Sequence, residues 1–255
     1  MPLSYQLALI LLMFQFCFEA VAVEFPDTIQ KVKESIVGVG TVQKTRTPPA
    51  QLLGTGFVVG DGLQVITNAH VLSKILDTEH YEQWVVFVGQ GSSPEIRTAE
   101  LVKSDSVHDL ALLQIKGKPL PALKLGDSDS VREGERYAFT GFPIGAVLGL
   151  YPATHGAMIS SITPIVIPAS QSSQLNSQII NRLRSPFYIF QLDATAYPGN
   201  SGSPLYQMGS GTVVGIINMV FVKESKETVL SNPSGISYAI PSKYIKILLN
   251  QTEID

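Results

Sequence analysis

Cysteine is almost missing from this chain. The single thiol among its 255 residues is Cys17, inside an apolar N-terminal stretch. A chain cut after Ala22 would contain no cysteine, which excludes disulfide cross-links, a thiolate nucleophile and thiolate metal ligands. Charge is also scarce: Asp, Glu, Lys and Arg make up 15% of the residues, and the formal net charge is -3. With no run of one sign, nothing attracts a polyanion, so no nucleic-acid partner is expected. Low-complexity tracts and solenoid-type repeats are absent. The only long hydrophobic run is Leu7 to Phe18, broken by Gln15. It is shorter than the roughly 20 residues a bilayer span requires. Ala20-Val21-Ala22 then supplies the small-x-small pattern of a signal-peptidase site. Residues 1–22 therefore read as a signal peptide, with an uncleaved membrane anchor as the alternative. The expected destination is the periplasm or the outside of the cell.

What the chain does contain is apolar residues, 45% of the total, enough for a sizeable core. They fall in short runs separated by glycine and proline. A lead-in with Ile29 and Val32 at amphipathic spacing precedes the first strand, Ile36 to Val42. Gly54 to Val59 and Gln64 to Thr67, joined through Asp61-Gly62, read as a hairpin. Further strands are expected over Trp84 to Val88, Ile96 to Val102, Leu110 to Ile115, Tyr137 onward, Ala157 to Ile162, Tyr188 to Asp193, Val213 to Val222 and Ile236 to Ile240. Pro241-Ser242 introduces a helix over about 242–250, with Tyr244, Ile247 and Leu248 on one face. The polar segment Pro164 to Pro186 is long for a connection and reads as a surface insertion. Many short strands and one clear helix make an all-β fold with two halves, about 36–120 and about 134–241, inside a domain spanning 23–255.

The stretch Asp193-Ala194-Thr195-Ala196-Tyr197-Pro198-Gly199-Asn200-Ser201-Gly202-Ser203-Pro204 cannot be helical throughout, because Pro198 and Pro204 interrupt it on either side of the serine. Its glycines permit a tight turn that exposes one hydroxyl and converges backbone N–H groups, a geometry suited to a developing oxyanion. A serine hydroxyl needs a base near neutral pH. Four histidines are available: His70, His80, His108 and His155. His70 ends a strand, and Asp109 opens another in the same half, ahead of its rival Asp105, which falls in the preceding turn. A carboxylate there would fix the imidazole tautomer. His80 and His155 read as surface or satisfied polar residues. The order His, Asp, Ser is that of the chymotrypsin type.

Thr67-Asn68-Ala69-His70-Val71, Asp109-Leu110-Ala111-Leu112-Leu113 and Gly199-Asn200-Ser201-Gly202 resemble the three motifs of the trypsin-like serine peptidases, specifically the HtrA (Deg) branch. The resemblance runs over most of 29–250, including Gly54-Thr55-Gly56-Phe57 and Gly235-Ile236-Ser237-Tyr238-Ala239-Ile240-Pro241. It implies a chymotrypsin/trypsin-like double β-barrel and peptide-bond hydrolysis through an acyl-enzyme, with no metal or organic cofactor. It implies His70 as general base and acid, Asp109 as its orienting carboxylate and Ser201 as nucleophile. The oxyanion hole would be the N–H groups of Gly199 and Ser201. The specificity pocket would draw on Thr195, Ala196, Ile217, Asn218 and Ile236. None of these offers a carboxylate, so no preference for Lys or Arg before the scissile bond is expected. The partners implied are polypeptide substrates, and the oligomeric state is left open.

The chain departs from the family pattern in places. Ser203 stands where the family usually has Gly, and Tyr197 where Asn is common. Asn200 stands where the disulfide-bonded trypsins place the Asp that pairs with a newly cut N-terminus, so no activation cleavage is expected. The sequence stops about 14 residues after Pro241, so no PDZ-mediated peptide partner is expected. The competing readings are a catalytically impaired chaperone-like or binding protein on the same fold, and an esterase with the same triad.

Overall fold

The computed structural model describes residues 24–143, 149–165, 187–218 and 235–250. The expected signal peptide 1–22 lies outside them, as do most of the insertion 164–186 and the end of the strand expected to reach Val222.

The first barrel contains β1 (Ile36–Val42), β2 (Ala50–Val59), β3 (Gln64–Thr67), β4 (Gln83–Val88), β5 (Glu95–Asp105) and β6 (Leu110–Ile115). They close in the order β1-β2-β3-β6-β5-β4. The second contains β7 (Arg136–Gly141), β8 (Ala153–Pro164), β9 (Tyr188–Asp193), β10 (Pro204–Tyr206), β11 (Val213–Asn218) and β12 (Ile236–Pro241). Its order, β7-β8-β9-β12-β11-β10, repeats that of the first. All pairings within the barrels are antiparallel. The double β-barrel is therefore the fold.

Three differences from the sequence reading have local causes. The lead-in is a full helix, α1 (Phe25–Lys33), with Pro26 in its first turn and Thr28 and Val32 buried. β10 was not anticipated; with only three residues it carries no periodic signal. β8 starts earlier, because Ala153 to Gly156 pair with Gly141 to Ala138 despite a polar composition. The C-terminal helix, α2 (Ser242–Asn250), forms where the spacing predicts it.

The apolar residues divide into three clusters. Val37, Val39, Val58, Val65, Val86, Leu113 and Ile115 fill the first barrel. Tyr137, Phe139, Ile159, Phe190, Leu192 and Ile217 fill the second. The third cluster joins the two, packing Phe57, Ile66 and Leu110 with Phe142, Tyr206 and Ile216 and with Val32 of α1. Among the described residues no helix is long and apolar enough to cross a membrane.

Candidate active site

β3 and β6 are neighbours, with Thr67 opposite Ala111. The end of β3 and the start of β6 therefore lie at one rim of the first barrel. His70 sits in the 3-10 turn Ala69–Leu72 that follows β3, and Asp109 immediately precedes β6. The carbonyl of Asp109 accepts hydrogen bonds from the Ala69 N–H at 3.1 Å and from Asn68 Nδ2 at 3.1 Å. Asp109 has φ of 54°, a left-handed conformation unusual for a residue with a side chain. Its carboxylate faces the histidine twice: Oδ1 accepts from the His70 backbone N–H at 2.8 Å, and Oδ2 lies 2.6 Å from His70 Nδ1.

Ser201 comes from the other barrel, in the turn between β9 and β10, and its Oγ lies 2.9 Å from His70 Nε2. An ionised carboxylate can only accept, so Nδ1 carries the imidazole proton. Nε2 of the neutral ring is then the acceptor for the serine hydroxyl. The side chain of Asp109 is only 10% exposed and that of His70 27%. The His70–Asp109 pair is thus shielded while the imidazole keeps access to solvent.

The turn carrying Ser201 is closed by the Asn200 N–H donating to the Tyr197 carbonyl at 2.9 Å. Pro198 occupies its second position, and Gly199, at φ 101°, its third. Those are the signatures of a type II turn, whose third residue needs a positive φ. Among the described residues, nothing accepts a hydrogen bond from the N–H of Gly199 or Ser201. Gly202, at φ 90°, lets the chain approach β2 closely; a Cβ there would lie 1.9 Å from the Thr55 carbonyl oxygen.

The residues expected to form the specificity pocket are dispersed. Ala196 and Ile217 belong to the buried core of the second barrel. Asn218 is fully buried, and its Nδ2 donates to Asp109 Oδ2 at 2.6 Å. Ala196 and Ile217 thus pack in the core of the second barrel, and Asn218 holds the carboxylate. Thr195 is half-buried, and Ile236 is 45% exposed at the start of β12. Ser237, named with Ile236 as part of the expected pocket region, takes a position there. Its Oγ donates to the Ala194 carbonyl at 2.7 Å and accepts from the Ala196 N–H at 2.9 Å. It ties the segment leading into the serine turn to β12.

The remaining candidates separate clearly. Asp105 caps its own turn, accepting from the Val107 and His108 N–H groups, and its Oδ2 lies 2.6 Å from His108 Nδ1. Burial opposes the charge on Asp105, but the hydrogen bonds from His108 outweigh it and hold the carboxyl below its ordinary value. His80 is exposed and pairs with Asp77. His155 departs from the expectation of a surface or satisfied residue. It stacks on Phe139 at 4.9 Å, and its Nε2 is buried without a partner among the described residues. Burial pushes its pKa down, favouring the neutral ring. Ser203 is accommodated because it packs against a glycine: a Cβ on Gly141 would lie 1.9 Å from its Oγ. Asn200 is wholly buried behind the turn. Among the described residues no cluster of three His, Cys, Asp or Glu side chains is placed to hold a metal ion.

Two antiparallel six-stranded barrels with Ser, His and Asp meeting at their junction define a class, the chymotrypsin-like double-barrel proteins. The chain belongs within it to the trypsin-like peptidase family: the model of the trypsin-like peptidase domain matches residues 54–216. A probable periplasmic serine endoprotease DegP-like from Pseudomonas putida is 32% identical over 210 residues, covering 82% of this chain and 37% of the relative. A protein of the same description from a Marinomonas species is 31% identical, with 82% and 38% covered. Among solved structures, the HtrA-type protease AlgW with tripeptide superposes with a TM-score of 0.62 at 25% identity, covering 89% of this chain and 62% of that one. The chain thus spans little more than a third of the length of these curated relatives.

Proposed function

We propose that this protein is an exported serine endopeptidase that cleaves peptide bonds in polypeptides through an acyl-enzyme. The observation that carries the reading is the continuous line Ser201 Oγ to His70 Nε2 at 2.9 Å and His70 Nδ1 to Asp109 Oδ2 at 2.6 Å. In the first step Ser201 Oγ attacks the scissile carbonyl carbon while its proton moves to His70 Nε2. Asp109 stabilises the imidazolium that results. The carbonyl oxygen becomes an oxyanion and is received by the N–H groups of Gly199 and Ser201. The C–N bond then breaks, and His70 returns the proton to the leaving amine. Water, deprotonated by His70 in its turn, attacks the acyl ester and releases Ser201.

The impaired, chaperone-like alternative requires a collapsed oxyanion hole. The positive φ of Gly199 and the unengaged N–H groups beside Ser201 favour a hole formed at rest. Export is supported by the apolar N-terminal stretch and by the periplasmic description of the relatives. Casein hydrolysis and fluorophosphonate labelling of wild type and Ser201→Ala test the proposal. The variant is expected to lose label and to fall in kcat by about 10⁴-fold or more. A folded wild type that neither labels nor cleaves casein would exclude a peptidase, and turnover of short esters alone would make it an esterase.

A further inference from the structure

Thr55, in β2 of the first barrel, is completely buried, and all of its polar groups meet the machinery of the two rims. Its N–H donates to the Ser201 carbonyl at 2.9 Å. Its carbonyl accepts from the Thr67 hydroxyl at 2.7 Å, three residues before His70. Its own Oγ1 accepts from the Phe142 N–H at 3.0 Å, just past the end of β7. With that N–H aimed at one lone pair, the single hydroxyl proton is directed to the Gly199 carbonyl, 2.7 Å away.

That last bond acts on a particular peptide unit. The Gly199–Asn200 peptide has its N–H held by the Tyr197 carbonyl within the turn. Its C=O is held by Thr55 from the opposite barrel. A peptide group gripped at both ends is not free to rotate. The Gly199 N–H belongs to the preceding Pro198–Gly199 peptide, which with the Gly199 carbonyl anchored can turn only about Pro198 ψ and Gly199 φ. Asn200 O is also engaged, by the Ser203 N–H at 3.0 Å, which fixes the peptide carrying the Ser201 N–H. The space around the hydroxyl is tight: a Cβ on Gly141 would lie 2.8 Å from Thr55 Oγ1.

We propose that Thr55 is a positioning residue: through its hydroxyl it locks the Tyr197–Asn200 turn in the conformation that presents the oxyanion donors. The inference rests on the peptidase reading for its effect on rate, but not for its effect on the turn. Without the hydroxyl, the Gly199 carbonyl loses its partner and the turn samples orientations in which its N–H leaves the cleft. The loss falls on the transition state, where the oxyanion exists, rather than on substrate binding.

Thr55→Val, nearly isosteric, removes the hydroxyl, and Thr55→Ser keeps it. The valine variant is expected to lower kcat for a peptide substrate by about 10- to 100-fold with KM little changed. Binding of a peptide aldehyde, which forms the oxyanion, should weaken in parallel, and the serine variant should recover most of both. Independently of turnover, the backbone amide resonances of Gly199 and Asn200 should shift or broaden in Thr55→Val and stay in place in Thr55→Ser. If Thr55→Val does not fold by circular dichroism, Thr55→Ala makes the same deletion with a smaller group. A hydroxyl-free variant with unchanged kcat and unchanged Gly199 and Asn200 amide signals overturns the proposal, as does a serine variant as impaired as the valine one. A wild type without activity defeats the peptidase reading, and the amide signals still decide the role of Thr55.

Discussion

Asp109 shows how much of a site one side chain can organise. Its left-handed φ turns the carboxylate back over the 3-10 turn, so that Oδ1 meets the His70 N–H while Oδ2 faces the imidazole. Oδ2 is shared with Asn218 Nδ2, a neutral donor from the end of β11 in the other barrel. The amide steadies the charge on Asp109 without competing for the imidazole proton. Asn218→Asp should reverse this. Two carboxylates in contact cannot both ionise cheaply, so the pair binds a proton and its upper pKa rises. The one remaining negative charge is then shared between the two carboxyls instead of being held at Asp109. We expect kcat at neutral pH to fall at least tenfold, on the order of the loss of a charge-assisted bond. Activity should recover in part as pH rises and the shared proton leaves; a variant with the wild-type pH–rate profile would refute the role given to Asn218. The meeting of His70, Asp109 and Ser201 was legible in the sequence because each sits in a short motif, two of them beside strand ends and the third in a proline- and glycine-rich turn. The bond from Asn218 to Asp109 was not, because the two lie 109 residues apart and nothing local marks it. Thr55 was hidden likewise: 144 residues separate it from Gly199.

At the scale of elements, the strands were legible where alternation or continuous apolar runs persist, as in β1, β4 and β6. They were not where pairing is imposed from outside, as in β10. The loops beside His70 have a different anchor. Glu82, with its side chain shielded from solvent, accepts from Arg46 Nη1 at 2.6 Å, Thr41 Oγ1 at 2.7 Å and the Asp77 N–H at 3.0 Å, and also pairs with Lys74. It fastens the β1–β2 loop and the segment after the 3-10 turn to the first barrel. Burial would raise its pKa, but the hydrogen bonds from Lys74, Asp77, Thr41 and Arg46 overcome that and bring it down to about 2 from an ordinary 4.5. Because the folded pKa lies below the unfolded one, the stabilisation is full above about 4.5 and is lost as pH falls toward about 2. Glu82→Gln should therefore lower Tm at pH 7 by on the order of 5–10 °C. The gap between variant and wild type should close as the pH is lowered through that window. A gap independent of pH would show that packing, not charge, is what Glu82 supplies.

Across the whole molecule, the two barrels share one strand order, yet no repeat is visible in the sequence. The topology is kept by buried strand positions that many different apolar side chains can fill. The Ser–His–Asp constellation is divided: His70 and Asp109 stand on one barrel, Ser201 and Asn218 on the other. Its geometry therefore depends on how the barrels are joined. The apolar cluster containing Phe57, Leu110, Phe142 and Tyr206 provides one joint. The helix α2 provides a second, on the far side of Asp109. Tyr244 of α2 stacks on His108 at 4.0 Å, Phe187 closes edge-on against both rings, and Lys243 Nζ reaches Asp129 at 2.7 Å. His108 is the residue before Asp109, so a helix that continues from the second barrel packs against the turn that carries the carboxylate of the first. Tyr244→Ala removes the stack. An aromatic pair is worth about 0.5–1.5 kcal/mol beyond its buried area, which with the lost burial gives a Tm decrease on the order of 3–8 °C. Because the stack backs the strained turn at Asp109, kcat should fall as well, by about threefold to tenfold with KM little changed, while Tyr244→Phe retains both properties. Calorimetry and steady-state kinetics on the two variants check this together. If Tyr244→Ala lowers Tm but leaves kcat untouched, α2 fastens the barrels without setting the position of Asp109.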